Sequence, residues 1–228
     1  ASAVFPSTLA DRQRDKLKFT ANWQPTEALS LQFLAEGGRD SFSSPSQHPL
    51  QGLEDADMYL LGIDWNYVVN DAWSVNGYLS QGQQTYQQSR YAGYIMSFKD
   101  TNTAFGLGVT GKPMERLQVG GTLSYLNDRN AYPQGLNANA PPEDVALLAA
   151  AGGLPDVVFR QANLSLFGRY ELDKQSAIRV NLVYQYSKVN DWAWAFGSTP
   201  YAYADATTLY QEPTQSVGMI SVVYIYKF

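Results

Sequence analysis

The stretch ANLSLFGRYELDKQSAIRVNLVYQY, residues 162–186, contains two runs in which every second residue is apolar. The first run ends at Tyr170, a short turn at residues 172–175 follows, and the second run ends at Tyr186. A period of two is typical of a β-strand whose faces meet different surroundings. Two such runs joined by a short polar turn predict an antiparallel hairpin.

The same alternation recurs in nine runs along the chain. The runs cover residues 17–23, 29–35, 59–67, 73–79, 105–109, 117–125, 162–170, 178–186 and 220–228. They are joined alternately by tight turns and by long connections. The tight turns are residues 25–28, 69–72, 112–115 and 172–175, and the long connections are residues 38–56, 86–101, 128–158 and 189–213. Short turns at one end and long loops at the other are typical of an outer-membrane barrel.

The sequence therefore predicts an all-β fold, a transmembrane antiparallel up-and-down barrel in the bacterial outer membrane. Its short turns would be periplasmic and its long loops extracellular. We expect residues 1–15 to form an extracellular loop or linker, and residues 16–228 to form the barrel strands. The closing aromatic alternation up to Phe228 is typical of the C-terminal insertion signal of such barrels. A soluble β-sandwich is the alternative, since its solvated face also alternates.

Composition narrows the function of this chain of 228 residues and 25.3 kDa. Only 16% of the residues are charged, against about 25% in a typical soluble domain. The chain has no cysteine, which excludes disulfides, thiol catalysis and covalent haem attachment by its own residues. The net charge of -5 argues against a nucleic-acid partner. We predict that the chain is not an enzyme, has no catalytic or metal-binding residues and binds no cofactor itself.

Aromatic residues cluster where strands are expected to leave the membrane. Such girdles are typical of both interfaces of an outer-membrane barrel. The predicted girdle residues beside the tight turns and the C-terminus are Trp23, Trp65, Tyr67, Trp73, Tyr170, Tyr226 and Phe228. Three tyrosines, Tyr125, Tyr184 and Tyr186, lie nearer the long loops.

The positions between the alternating apolar residues carry polar side chains, which would face the lumen. This inward set comprises Lys18, Asn22, Gln32, Asp64, Asn66, Arg116, Gln118, Thr122, Asn163, Arg169, Arg179, Asn181 and Gln185. One interpretation is a lumen lined with water, which any barrel needs. The other is that part of this surface contacts a protein inside the barrel, because mixed charges and amides suit a wet protein interface.

Nine strands are an odd number, whereas a bacterial barrel normally has an even number. Either the count is wrong near residues 86–101, or the chain is the C-terminal part of a larger barrel. Residues 91–98 could extend the fifth strand rather than add another. We favour the larger barrel, because an open sheet edge is not viable in lipid.

Five stretches carry a resemblance to a known family. They are ADRQRDKL (10–17), WQPTEALSL (23–31), LSLFGRYEL (164–172), YQY (184–186) followed by Asp191-Trp192, and TQSVGMISVVYIYKF (214–228). Their ordered series resembles the C-terminal part of the MtrB/PioB family of decahaem-associated outer-membrane β-barrel proteins, over nearly all of residues 10–228.

The resemblance implies a scaffold for electron transfer across the outer membrane. A barrel of more than twenty strands would sheathe a periplasmic multihaem c-type cytochrome in its lumen, with an extracellular cytochrome as a further partner. The c-type haem would belong to the cytochrome, and the remaining strands to a longer chain. Outer-membrane lipid would surround the barrel.

Two other functions stay open at this point. A small porin, solute channel or adhesin-like barrel would hold no cytochrome, and a rim hydrolase would use His48, the one histidine. We interpret His48 as a solvated loop residue and the acidic Glu54, Asp55 and Asp57 as solvated rather than cation-binding. The loop at 139–153 predicts a short helix, because Pro142 starts it, acidic residues follow and Gly152 ends it.

Overall fold

One antiparallel sheet dominates the computed structural model. The structure describes residues 11–43, 52–89, 94–136, 140–151, 155–191, 201–202, 204–206, 208–209 and 212–227. Its nine long strands are β1 (Asp11–Trp23), β2 (Leu29–Ser43), β3 (Gly52–Asn70), β4 (Trp73–Ser89), β5 (Tyr94–Met114), β6 (Leu117–Ala131), β8 (Val157–Glu171), β9 (Ser176–Asn190) and β12 (Thr214–Tyr226). Each long strand pairs with the next in chain order. The prediction of nine up-and-down strands is confirmed.

The loop side carries the remaining elements. A short strand β7 (Gln134–Leu136) pairs with β5, and strands β10 (Tyr201–Ala202) and β11 (Thr208–Leu209) pair with each other. The predicted loop helix is confirmed as α1 (Pro142–Ala151), with Glu143 and Asp144 in its first turn. Within the described residues, no helix is long and apolar enough to cross a membrane.

The strands run further toward the loops than the alternation predicted. Strand β1 begins at Asp11, so the expected loop or linker over residues 1–15 is wrong from residue 11 onward, and residues 1–10 lie outside the described part. Charged residues extend this strand because Arg12 and Arg14 both reach the carboxylate of Asp40 on β2. Residues 94–98 belong to β5, so the count near residues 86–101 stands and no strand is added.

The register of the ladders shows that the strands are tilted. One row of directly paired residues joins Trp23, beside a tight turn, to Tyr184, near the loop end of β9. The row therefore climbs by about one residue per strand. With a rise of about 3.4 Å per residue and a strand spacing of about 4.8 Å, this shear corresponds to a tilt of roughly 35°. Such a tilt is typical of membrane barrels.

The sheet is open at both ends and encloses almost no hydrophobic core. Strands β1 and β12 are its edges and do not pair with each other. Among the described residues, the buried hydrophobic side chains are those of Ala56 and Ala177. The sheet is held together by the hydrogen bonds between its strands. The chemistry of its two faces therefore indicates which surroundings each face suits.

Candidate functional site: the two faces of the barrel wall

The outer face is a continuous exposed apolar band. Because directly paired residues share a face, the register places the alternating apolar residues of all nine strands on one side. Leu17 is 77% exposed at one edge and Ile220 is 73% exposed at the other. Other exposed members are Phe19, Leu61, Leu79, Phe105, Leu107, Val109, Leu123, Leu164, Leu166, Val180, Leu182, Val222 and Tyr224. A soluble monomer rarely exposes so large a patch, so this face is built for lipid.

The predicted girdle residues that the structure describes all lie on this outer face at its tight-turn end. They are Trp23, Trp65, Tyr67, Trp73, Tyr170 and Tyr226, whereas Phe228 lies outside the described residues. Two of the rings cover glycines on the neighbouring strand. A Cβ added at Gly77 would lie 2.6 Å from the Trp65 ring, and one at Gly111 would lie 2.3 Å from the Trp73 ring. The rings therefore fill the space that a side chain at either glycine would need.

The inner face carries the predicted polar set. The register places all of its members on this face except Arg116. Arg116 is in the two-residue turn between β5 and β6, and its carbonyl accepts a hydrogen bond from the Glu171 amide at 2.8 Å. Its predicted lumen position therefore stays a prediction, because alternation cannot fix the direction of a residue once the strand has ended.

Two groups of these polar residues come together. Near the tight turns of β1–β3, the Gln32 amide donates to Asn22 Oδ1 at 3.0 Å, and Asp64 is directly opposite Gln32. A groove of about 590 Å³ opens here, lined also by Ser30 and Asn66. The groove shows that this end of the inner face is polar and open.

The second group lies on β8, β9 and β12. Arg179 donates to Asn181 Oδ1 at 2.7 Å, and Asn181 donates to Ser221 Oγ at 3.0 Å. The Arg179 guanidinium also lies 4.3 Å from the centre of the Phe167 ring, close enough for a cation–π interaction. Arg179 is directly opposite Arg169, whose Nη2 is 3.5 Å from Glu171.

An ion-pair cluster on β1 and β2 was missed by the sequence reasoning. Arg14 binds Asp40 through two hydrogen bonds of 2.6 and 2.9 Å, and Arg12 binds the same carboxylate. Lys16 lies 2.6 Å from Glu36. The sequence signal for this cluster is that Arg12 and Arg14 continue the alternation of Lys16 and Lys18, so a charged run here extends the strand rather than ending it.

The inner face of β12 departs from the polar pattern. Val217, Met219 and Val223 lie on the same side as Asn181 and Gln185, and they are exposed. Strand β12 is therefore apolar on both faces. This is unusual for a strand with water on one side.

The acidic residues and His48 were the remaining candidates for a metal-binding or catalytic site. The described residues contain no group of three or more acidic, histidine or cysteine side chains that could hold a metal ion. Asp55 and Asp57 lie in β3 rather than in a loop, at 3.5 and 3.8 Å from Arg39, and Glu54 accepts a hydrogen bond from Gln87. His48 lies outside the described residues.

The whole chain, residues 1–228, matches a family model described as "Putative outer membrane beta-barrel porin, MtrB/PioB". The chain belongs to this family. The resemblance inferred from the five stretches is thereby confirmed, as is the outer-membrane localisation. None of the curated proteins compared with the chain matches it.

Solved outer-membrane proteins share the fold of this family member. The ferric preacinetobactin receptor BauA from Acinetobacter baumannii matches with a TM-score of 0.62 at 10% identity, over 95% of this chain and 38% of the receptor. The copper transporter OprC matches with a TM-score of 0.57 at 9% identity, over 93% of this chain and 34% of the transporter. The ferric citrate transporter FecA, in its unliganded form, matches with a TM-score of 0.57 at 11% identity, over 96% and 34% respectively.

These likenesses establish the architecture. The chain spans little more than a third of the length of the proteins it resembles, and it superimposes on the walls of barrels. The predicted class of transmembrane antiparallel barrel is confirmed, and the soluble β-sandwich alternative is wrong. The MtrB/PioB chain contacts outer-membrane lipid through its apolar band.

Proposed function

We propose that this chain forms part of the wall of a larger outer-membrane barrel that sheathes a multihaem c-type cytochrome. The barrel would exclude lipid and hold the haem chain across the membrane, while the partner carries out the redox chemistry. The chain cannot attach c-type haem covalently, because it has no cysteine. An extracellular cytochrome at the loop side would be a second partner.

The two free edges support the need for further strands. Backbone amides and carbonyls at an unpaired edge cannot hydrogen-bond to lipid, so β1 and β12 must each meet another strand. Both edges run from the loop side to the tight-turn side, so direct pairing of β1 with β12 would be parallel. Antiparallel closure instead requires an odd number of additional strands. Strands of a longer chain satisfy this requirement.

The inner face of β12 is the observation that carries the proposal of a protein in the lumen. Val217 is 58% exposed and Met219 is 52% exposed on the inner face, and Val223 on the same face lies directly opposite the hydrogen-bonded Arg179. Contact between these aliphatic side chains and water is unfavourable. Burying them against a protein surface would stabilise the assembly by about 25 cal/mol per Å² of apolar area. Apolar residues next to oriented polar groups are typical of protein interfaces.

The first test is to purify the native particle from the outer membrane in mild detergent. We expect a particle mass well above 25.3 kDa, together with c-type haem in fixed ratio to the barrel. A haem-free particle of single-chain mass would contradict the proposal. It would favour a small porin, channel or adhesin-like barrel.

A variant pair then tests the inner face of β12. Met219→Glu should release the cytochrome while the barrel still resists SDS unless heated, because a carboxylate would be buried against the partner. Gln215→Glu, on the same face at the loop end of the strand, is the matched control and should keep its haem. If Met219→Glu prevents folding, the milder Met219→Gln replaces it. Full haem retention by a folded Met219→Glu barrel would contradict an interface at β12.

A further inference from the structure

Cations also occur on the lipid-facing side of the sheet, above its apolar band. The register places five basic residues on the outer face at the loop end of their strands. They are Arg39, Lys99, Arg129, Arg160 and Lys188. Because these residues lie above the apolar band, they are at the level where the lipid headgroups of the outer leaflet lie.

Two of these cations, Arg39 and Arg129, have acidic neighbours. Arg39 lies near Asp55 and Asp57, and Arg129 is ion-paired with Asp156. Lys99 is opposite the uncharged Thr85 and Ala131.

Arg160 and Lys188, in contrast, are directly opposite each other on β8 and β9. In the part of the chain that the structure describes, neither forms an ion pair, and Arg160 Nε donates to Asn127 Oδ1 at 3.2 Å. Like charges at directly opposed positions destabilise a sheet. An anion bound between the two side chains would offset their repulsion.

A groove of about 350 Å³ holds these two side chains. It is lined by Val158, Arg160, Lys188, Val189, Asn190 and Pro213. The Val189 amide donates to the Pro213 carbonyl at 2.7 Å, which ties the start of β12 to the wall of the groove. Asp156, four residues before Arg160, is ion-paired with Arg129 instead, and Glu212, next to Pro213, forms no ion pair with Arg160 or Lys188 among the described residues.

The position of the groove points to a lipid rather than a soluble ion. Tyr186 lies two residues below Lys188 on the same face of β9, in the loop-side aromatic row. Below it, Leu164, Leu182 and Tyr184 are exposed on the outer face, where acyl chains lie. A headgroup at the level of Arg160 and Lys188 would place its chains along this column.

We propose that Arg160 and Lys188 bind a phosphate group of an outer-leaflet lipid headgroup. The planar guanidinium can donate two hydrogen bonds to one phosphate, and the ammonium supplies a second positive charge from the opposite strand. The bound anion relieves the repulsion between the two cations. The site is independent of what fills the lumen.

Native mass spectrometry of the intact purified particle tests this site. The particle is titrated with a bisphosphorylated lipid A-type glycolipid, with its dephosphorylated form, or with inorganic phosphate. We expect one glycolipid to bind in a phosphate-dependent way. Arg160→Gln and Lys188→Gln should each weaken it by about tenfold, which corresponds to the loss of one hydrogen bond to a charged group.

The controls separate charge from folding. Arg39→Gln removes a cation of the same face that already has acidic neighbours, and it should leave binding unchanged. The exchange Arg160→Lys with Lys188→Arg keeps both charges and should retain binding. Unchanged glycolipid binding by a folded Arg160→Gln/Lys188→Gln particle would overturn the site. Equal binding of the dephosphorylated glycolipid, or displacement by an equal concentration of inorganic phosphate, would overturn the lipid phosphate as its ligand.

Discussion

The outer and inner faces of the sheet are built from alternate residues of the same strands, yet they follow opposite rules. On β8, Leu166 points to lipid and its neighbour Ser165 to the lumen. Across its middle the outer face exposes mainly aliphatic side chains, whereas the inner face of β1–β3 and β8–β9 joins charges and amides in pairs. Because the sheet buries almost no core of its own, the media on its two sides take the place of one.

The largest loss of stability is expected when a charge is placed on the outer face. Leu166→Arg should lower the free energy of unfolding of the assembled barrel by about 2–4 kcal/mol, the cost of an arginine near the bilayer midplane. Ser165→Arg, one residue away on the lumen side, should cost far less. Urea unfolding in lipid vesicles measures both. Equal losses would mean that the two faces have been assigned wrongly.

Glycines sharpen the contrast within the outer face itself. Gly77→Ala should cost about 1–3 kcal/mol, because the new Cβ would lie 2.6 Å from the Trp65 ring and force it away. Gly168 is also on the outer face, with nothing within 4 Å of its Cβ position, so Gly168→Ala should change stability by less than about 0.5 kcal/mol. Unfolding in vesicles gives the two values, and a shift in tryptophan fluorescence should accompany only Gly77→Ala.

Ion pairs sharpen the contrast between the faces. Asp40→Ala should cost about 1 kcal/mol, because two half-exposed arginines on the inner face lose the carboxylate they share. Asp57→Ala removes an outer-face carboxylate that lies 3.8 Å from Arg39 and is largely exposed, so its effect should stay within about 0.5 kcal/mol. A larger loss in Asp57→Ala than in Asp40→Ala would contradict this ranking.

The smallest effect is expected at a tight turn that keeps the two faces in register. The hydrogen bond from Ser176 Oγ, followed by those from the amides of Gln175 and Ser176, lowers the pKa of Asp173. A lowered pKa in the folded state means that the carboxylate stabilises the turn above its usual pKa of about 3.9 and loses this effect as the pH falls through the folded pKa. Asp173→Ala should therefore unfold slightly more easily than the unmodified chain at pH 7. The difference should shrink in acid, and a difference that grew there would contradict the assignment.

Much of the barrel wall could be read from the sequence because its decisive signal is local. A period of two assigns each side chain to one face before any pairing is known. The sequence therefore predicted the nine strands. It also placed the girdle residues and most of the inner polar set on opposite faces. The helix α1 was found in the same way, from Pro142 and the acids that follow it. The error occurred at a strand end, at residues 11–15, and the direction of Arg116 in its turn stays a prediction, because alternation carries no information beyond the end of a strand.

The sequence by itself determined that this chain crosses the outer membrane as strands, and which residues share each face of the sheet. Only the tertiary structure decided which residues meet across the ladders. Arg14 meets Asp40, and Arg160 meets Lys188, because register depends on turn geometry and on pairing between distant residues. A period of two fixes the face on which a residue lies. It does not fix the position of that residue along the membrane normal relative to residues of other strands, and this position determines whether the residue meets acyl chains or headgroups.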